Sequence, residues 1–270
     1  MNKLLSALPR IALVLSALLP VWFLLASLGA KFGWWSKMTG FGTMTVGIGA
    51  PAAMGLAVLA VIALLVAVLV RPRRGWVAAV IALAIPLLVL GGFNQLRAQA
   101  QSVPLIYDVA TDTADPPVFS DAMMAMREAD GANEPMPFDV PLGSLGKWAD
   151  NAAVANRTAA QLIAEGYPEL APLRVAVSVE DTVAAVEAAM STRGFDNISA
   201  DAGAGRVEGT DELFWYGFRD DVVARVRADG DGSIVDFRST SRVGLSDLGV
   251  NAQRIADLRE AVAERLAIAE

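Results

Sequence analysis

The sequence predicts an α+β protein in two parts: three N-terminal transmembrane helices, then a β-α-β(4)-α domain built on an antiparallel sheet. Three observations carry this. Uncharged apolar runs fill most of the first 97 residues, no Asp or Glu occurs before Asp108, and from Leu173 onward short β-type runs alternate with turn residues between two helix-type stretches. The expected division is a membrane anchor over residues 1–97 and a folded domain over 98–270.

The first span, 11–30, is an uncharged run of about the 20 residues a helix needs to cross the hydrocarbon core. It is longer than the apolar part of a signal peptide. No small-x-small site follows it, because Leu28 stands where a small residue is required before Ala30, so it is expected to be retained. Trp34 and Trp35 suit the headgroup level, where amphipathic rings collect. A second run, 45–70, is stopped by Arg71-Pro72-Arg73-Arg74, and Trp76 opens a third, 76–93.

Lys3, Arg10 and the three arginines of that stop fall on one side of the spans, and Lys31, Lys37 and Arg97 on the other. The positive-inside rule then puts the N-terminus in the cytoplasm and everything after Arg97 in the periplasm, in a multi-pass protein of the inner membrane. Pro20, Pro51 and Pro86 remove backbone donors within the spans. Gly47, Gly49, Ala53 and Ala57 would let helices approach closely. No ionisable residue lies inside a span, which reads as packed anchor helices and not as an ion pathway.

Composition narrows the chemistry. From residue 98 onward 14 basic residues face 29 acidic ones, a formal charge of −15. Such a domain is a poor ligand for nucleic acid, whose affinity comes from phosphate neutralisation. The chain has no Cys and no His, which removes disulfides, thiol nucleophiles, Cys/His metal sites and the Ser-His-Asp triad. General acid–base work would rest on carboxylates alone, so no catalytic residue, cofactor or metal is assigned and the reading leans away from an enzyme.

Along the domain, 94–104 reads as a polar stalk. In LIYDVATDTADPPVF the Asp and Thr residues suggest side-chain-capped turns, and Pro116-Pro117 forces an extended exit. A short helix is expected near Phe119–Arg127, and irregular chain with a helical turn or two within 152–165 follows. These segments are expected to wrap the surface, where they could serve as a lid. LRVAVS then reads as a strand and DTVAAVEAAMSTRG as a helix, capped by Asp181 or Thr182, buried along Val183, Val186 and Met190, and ended by Gly194.

Four β-type runs follow, separated by turns such as Ala202–Gly205 and the hairpin signal DGDG at 229–232. A closing helix over 246–268, capped by Ser246 or Asp247, buries Leu248, Ile255, Leu258 and Leu266. Two helices on one face of an antiparallel sheet are analogous to helix-grip and TATA-binding-protein-like folds.

The candidate site lies where the last strand meets the closing helix. Period-two alternation puts Asp236, Arg238, Thr240 and Arg242 on one strand face. Asp247, Asn251 and Arg254 are spaced i, i+4, i+7 on the helix. Two readings stay open. Arg238, Arg242 and Arg254 pair internally with acids such as Asp108, Asp112 and Asp247, or they converge with Ser246 and the helix N-terminus on a carboxylate or phosphate headgroup. FWYGF (214–218) is either core or, through Trp215, the wall of an acyl or isoprenoid site.

DVATDTADPPVF and SRVGLSDLGVNAQRI, with GRVEGT and FWYGFRDDVVARVR between them, resemble the bacterial family catalogued as domain of unknown function 1499, over about residues 105–268. The matching positions are Asp108, Thr111, Asp112, Pro116, Pro117, Arg242, Gly244, Ser246, Asp247, Gly249, Asn251 and Arg254. The resemblance implies a membrane-tethered domain and no particular activity. The expected function is a periplasmic module for a lipid or other amphipathic anion, or else a non-catalytic interaction or assembly factor for envelope proteins.

Overall fold

A computed structural model describes residues 3–269, with side chains over 5–267. The chain forms two compact units: Met1–Gln99 with Phe214–Gly217, and Ala100–Leu213 with Phe218–Glu270.

In the first unit α1 (Lys3–Lys31), a continuous helix of π-type over Thr39–Gly49 leading into α2 (Ala50–Leu69), and α3 (Trp76–Ser102) are each long and apolar enough to cross a membrane. The second helix therefore starts six residues before the expected span. The π register follows from composition. Glycines and threonines hold the i→i−4 ladder weakly, and Thr45 Oγ1 donates to Gly40 O, five residues back, at 2.9 Å.

Small residues do bring the helices together, partly at other positions than expected. A Cβ on Gly49 would sit 2.4 Å from Phe23, and one on Gly40 would sit 2.5 Å from Ala26 O. Ala12, Ala60, Ala63, Ala79 and Ala82 form a buried seam that Ser16 crosses by donating to Ala82 O at 2.8 Å. The end expected for the third helix is corrected: α3 runs through most of the polar stalk to Ser102, because Gln, Leu, Arg and Ala, all good helix formers, fill 95–101.

The second unit is a six-stranded antiparallel sheet. Its strands are β1 (Asp108–Ala110), β2 (Leu173–Val175), β3 (Asp196–Asp201), β4 (Arg206–Glu212), β5 (Arg219–Asp229) and β6 (Gly232–Ser241). The order is β1-β6-β5-β4-β3, with β2 also on β6. β1 and β2 lie end to end along one edge, β1 against Arg238–Thr240 and β2 against Ser233–Val235. β1 is one strand more than the sequence suggested. DGDG closes the β5–β6 hairpin as expected, with Asp229 opposite Gly232 and Gly230 at φ +62°. The free edge, β3, is broken by a register shift between Asp196 and Ser199 and carries acids at both ends, which blunts it against further pairing.

The helices α6 (Val179–Thr192) and α7 (Val250–Ala269) cover one face. Val183, Val186 and Met190 from α6 meet Ile255, Leu258, Val262 and Leu266 from α7 over Val207, Val222, Ala224, Val235 and Phe237. Two expected details are corrected. α6 is capped by Ser178, whose hydroxyl accepts from Asp181 N at 3.1 Å. α7 begins only at Val250, since Leu248 (φ +56°) and Gly249 (φ +85°) are left-handed, so Leu248 precedes the helix.

The other face is not left open. Residues 111–140, including α4 (Asp121–Ala129), lie across it, while α5 (Ala159–Gly166) joins the main core through Leu162 and Ile163. Phe119 and Met123 pack on Val223 beneath α4, so the expected surface wrap is in large part a buried cover.

Candidate functional site

Strand alternation sorts β6 into two sets. Ser233, Val235, Phe237, Ser239 and Ser241 face α6 and α7, and Asp236, Arg238, Thr240 and Arg242 face the cover. Register then fixes what the arginines meet. Asp221 on β5 pairs with Thr240 and with Thr210 on β4, and Asp108 on β1 pairs with Thr240 from the other side.

Two carboxylates organise this face. Asp108 accepts four hydrogen bonds: Arg238 Nε (3.0 Å) and Thr240 Oγ1 (2.7 Å) on Oδ1, Arg238 Nη2 (2.7 Å) and Met136 N (2.8 Å) on Oδ2. Arg238 also donates to Pro117 O and Met136 O and lies over the Phe138 ring. Asp221 is the second hub. Arg242 binds it with both Nε (2.9 Å) and Nη2 (2.7 Å), and Thr210 Oγ1 (2.8 Å) and Arg127 Nη1 complete its shell. Arg127 comes down from α4, and its Nη2 donates to Asn133 O at 2.6 Å.

At the rim Arg242 Nη1 reaches Asp130. Burial works against the charge on Arg242, yet its bonds to Asp221 and Asp130 hold its pKa above the ordinary value. Glu208 on β4 anchors the start of α4 by accepting from the amide and the hydroxyl (2.6 Å) of Ser120, the N-cap residue.

Asn251 and Arg254 act on the opposite face. Asn251 is fully buried and uses its whole amide. Nδ2 donates to Tyr107 O and Ser241 Oγ, both at 3.0 Å, and Oδ1 accepts from Ser239 Oγ (2.6 Å) and Arg254 Nη1 (2.7 Å). Arg254 also donates to Asp211 (2.8 Å) and Asp220 (2.7 Å). The sheet thus separates residues expected in one constellation: Arg238 and Arg242 under the cover, Arg254 and Asn251 under α7.

Of the acids expected to pair with arginines, Asp108 does so. Asp112 pairs with other arginines than expected, Arg225 at 3.7 Å and Arg227 at 3.9 Å, and shapes its own turn by accepting from Ala114 N and Asp115 N. Asp247 pairs with no arginine among the described residues: its carboxylate accepts from Gly249 N (2.9 Å) and Asn251 N (3.0 Å) at the start of α7. Ser246 Oγ likewise accepts from Leu248 N. The N-terminus of α7 is therefore filled by the chain's own side chains. Trp215 is not part of this site. It is exposed and groups with the helical unit. Among the described residues no group of three or more Cys, His, Asp or Glu is placed to hold a metal ion.

Sequence reasoning missed Asp221, Arg127, Asp220, Asp211 and Glu208. The first had a usable signal: counting outward from the DGDG turn puts Asp221 across from Thr240, on the arginine face.

Asp247 provides a pH test. Burial, opposed by its two backbone donors and reinforced by nearby Asp220, raises its pKa from 3.8 to about 6. A carboxyl whose folded pKa exceeds its unfolded one destabilises the fold once both states are ionised. The penalty is absent below about pH 4, grows as pH rises to about 6 and is constant above, on the order of 3 kcal/mol. Asp247→Asn, which keeps a capping oxygen, is expected to melt above the parent at pH 8 and to lose that advantage at pH 4, as thermal unfolding at the two pH values will register.

The fold and this network define an α+β domain braced by buried ion pairs, behind three helices fit to cross a membrane. The chain belongs to the family described as Protein of unknown function (DUF1499), whose model matches residues 108–262, from the first hub carboxylate to the last buried turns of α7. No curated protein and no solved structure matches the chain.

Proposed function

We propose that the protein is a non-catalytic interaction or assembly factor of the cell envelope. In this reading residues 1–97 anchor it in the inner membrane with the N-terminus cytoplasmic, and residues 98–270 form a periplasmic domain. The observation that carries it is the inward engagement of Arg238, Arg242 and Arg254, each of which makes four hydrogen bonds to protein acceptors. An anionic headgroup would have to displace those partners, at the cost of leaving buried carboxylates unpaired.

Residues 98–270 carry a formal charge of −15, and among the described residues only six of their acids, Asp108, Glu208, Asp220, Asp221, Asp236 and Asp247, are buried, so the outer surface is acidic. Asp121, Glu128 and Glu134 line a groove of about 440 Å³ along α4, which suits a basic polypeptide segment and repels anionic lipid. Orientation rests on the five basic residues on one side of the spans against three on the other.

A bound lipid or other amphipathic anion is the second reading, favoured by the exposed aromatic surface of Phe214 and Trp215. Two experiments separate them. A photo-crosslinking residue at Glu128 should give a discrete protein adduct in cells, absent when the same residue stands at Asp231 and weakened by Glu134→Lys. Native mass spectra of the full chain that instead carry a stoichiometric lipid, with no adduct at Glu128, would overturn the first reading in favour of the second. A reporter fused after Glu270 that is active only in the cytoplasm would refute the orientation.

A further inference from the structure

We propose that the turn Phe214–Gly217 is a contact with the bilayer interface, a non-helical member of the aromatic belt at the end of α1. Its occupant is the headgroup and upper acyl region of phospholipid. This goes beyond the assembly-factor reading, because it concerns the bilayer itself and neither a protein partner nor a bound lipid ligand.

The turn is built at some cost. Tyr216 sits at φ +63°, a conformation that costs a non-glycine residue about 1–2 kcal/mol, followed by Gly217 at φ +64°. A Leu213 N to Phe218 O hydrogen bond of 2.8 Å closes it. Tyr216 is turned inward, its hydroxyl 2.7 Å from Thr45 Oγ1 and its ring edge-on to Phe41 at 5.4 Å. That leaves Phe214 and Trp215 outward, 64% and 53% exposed, with their rings edge to face at 4.8 Å.

The surroundings give the depth. Lys31 Nζ lies 4.6 Å from the Phe214 ring centroid. Lys31 ends the 27-residue apolar stretch Leu5–Lys31 of α1, which at 1.5 Å per residue outspans a hydrocarbon core of about 30 Å and brings its terminal charge to the headgroups. Exposed Trp34 follows at once. An indole, a phenyl ring and a lysine clustered at a span end match the chemistry of the water–lipid boundary, where an apolar body and a polar tip are both satisfied. Two large apolar side chains on a turn otherwise made to present them are thereby removed from water.

The chain has no cysteine, so a single introduced thiol carries a spin label alone. The full chain is reconstituted in vesicles of phosphatidylethanolamine and phosphatidylglycerol with the label at Trp215→Cys. Phe214→Cys is measured in parallel, to leave Trp215 in place, and Asp231→Cys and Val118→Cys are controls at exposed positions of the domain. Collisions with oxygen over those with a water-soluble nickel chelate should be favoured several-fold at residue 214 or 215 relative to both controls. Nickel access at both turn positions equal to that at Asp231 would overturn the proposal. So would dipolar broadening relieved by dilution with unlabelled protein, which would assign the aromatic face to a second copy of the chain.

Discussion

Asp221→Asn is expected to lower the stability of the sheet-bearing unit, Ala100–Leu213 with Phe218–Glu270, by about 3–5 kcal/mol, the loss typical of breaking a buried ion pair from one side. The substitution is isosteric, so no cavity forms. The loss is electrostatic: Arg127 and Arg242 stay buried with the charge between them removed, and the amide can satisfy only part of a shell that now accepts four hydrogen bonds. In a domain of this size the apparent Tm should fall by roughly 6–20 °C. Thermal unfolding of the detergent-solubilised chain, followed by near-ultraviolet circular dichroism, reads it. Asp229→Asn is the contrast. Its partner Arg174 is largely exposed, and that pair should contribute at most about 1 kcal/mol. Equal shifts for the two variants would mean that burial of the Asp221 hub is not what matters.

The second large effect is a coupling. Asp108→Leu and Arg238→Met should each be strongly destabilising alone, by about 3–5 kcal/mol, and together lose much less than their sum. Each single change strands a buried charge; the pair strands none. The double variant should still fall short of the parent, because Met136 N and Thr240 Oγ1 lose the acceptor they share with Arg238. A double-mutant cycle with a coupling of at least about 2 kcal/mol is expected. Strict additivity would remove the argument that Arg238 braces the fold, since an arginine held for an absent anion would have little to gain from Asp108.

How far the sequence reveals this arrangement depends on the range of the interaction that decides each part. The spans rest on local apolarity and charge, and the hairpin at 229–232 on two glycines and two aspartates, so both are readable. The buried faces of α6 and α7 are also readable, apart from Leu248, whose left-handed backbone leaves it short of the helix. The partners of the arginines depend on register across β1, β6, β5 and β4, and only the hairpin register is written locally. Arg238 and Arg242 were recognisable as a pair needing compensation, and Asp221 could be reached by counting outward from the hairpin turn, but Asp211 stood among 29 acids with nothing local to single it out.

Alternation did place Arg238 with Arg242. It could not say that Arg254 lies through the sheet from them, because that needs α7 assigned to the other face. For FWYGF the sequence left core and ligand wall open, and the exposure of Phe214 and Trp215 removes the core reading for those two residues.

The two faces of the sheet imply different freedoms to change. Under α6 and α7, outside the network of Asn251 and Arg254, a side chain can be traded for one of similar volume in a single step, since apolar neighbours accommodate modest differences. Beneath α4 no such path exists. Asp108 and Arg238, 130 positions apart, or Asp221 with both its arginines, can be replaced only in concert, and every intermediate passes through an uncompensated charge. That face is a lock against drift: its residues can be retained over long divergence because their partners forbid leaving one at a time, whatever the domain is used for.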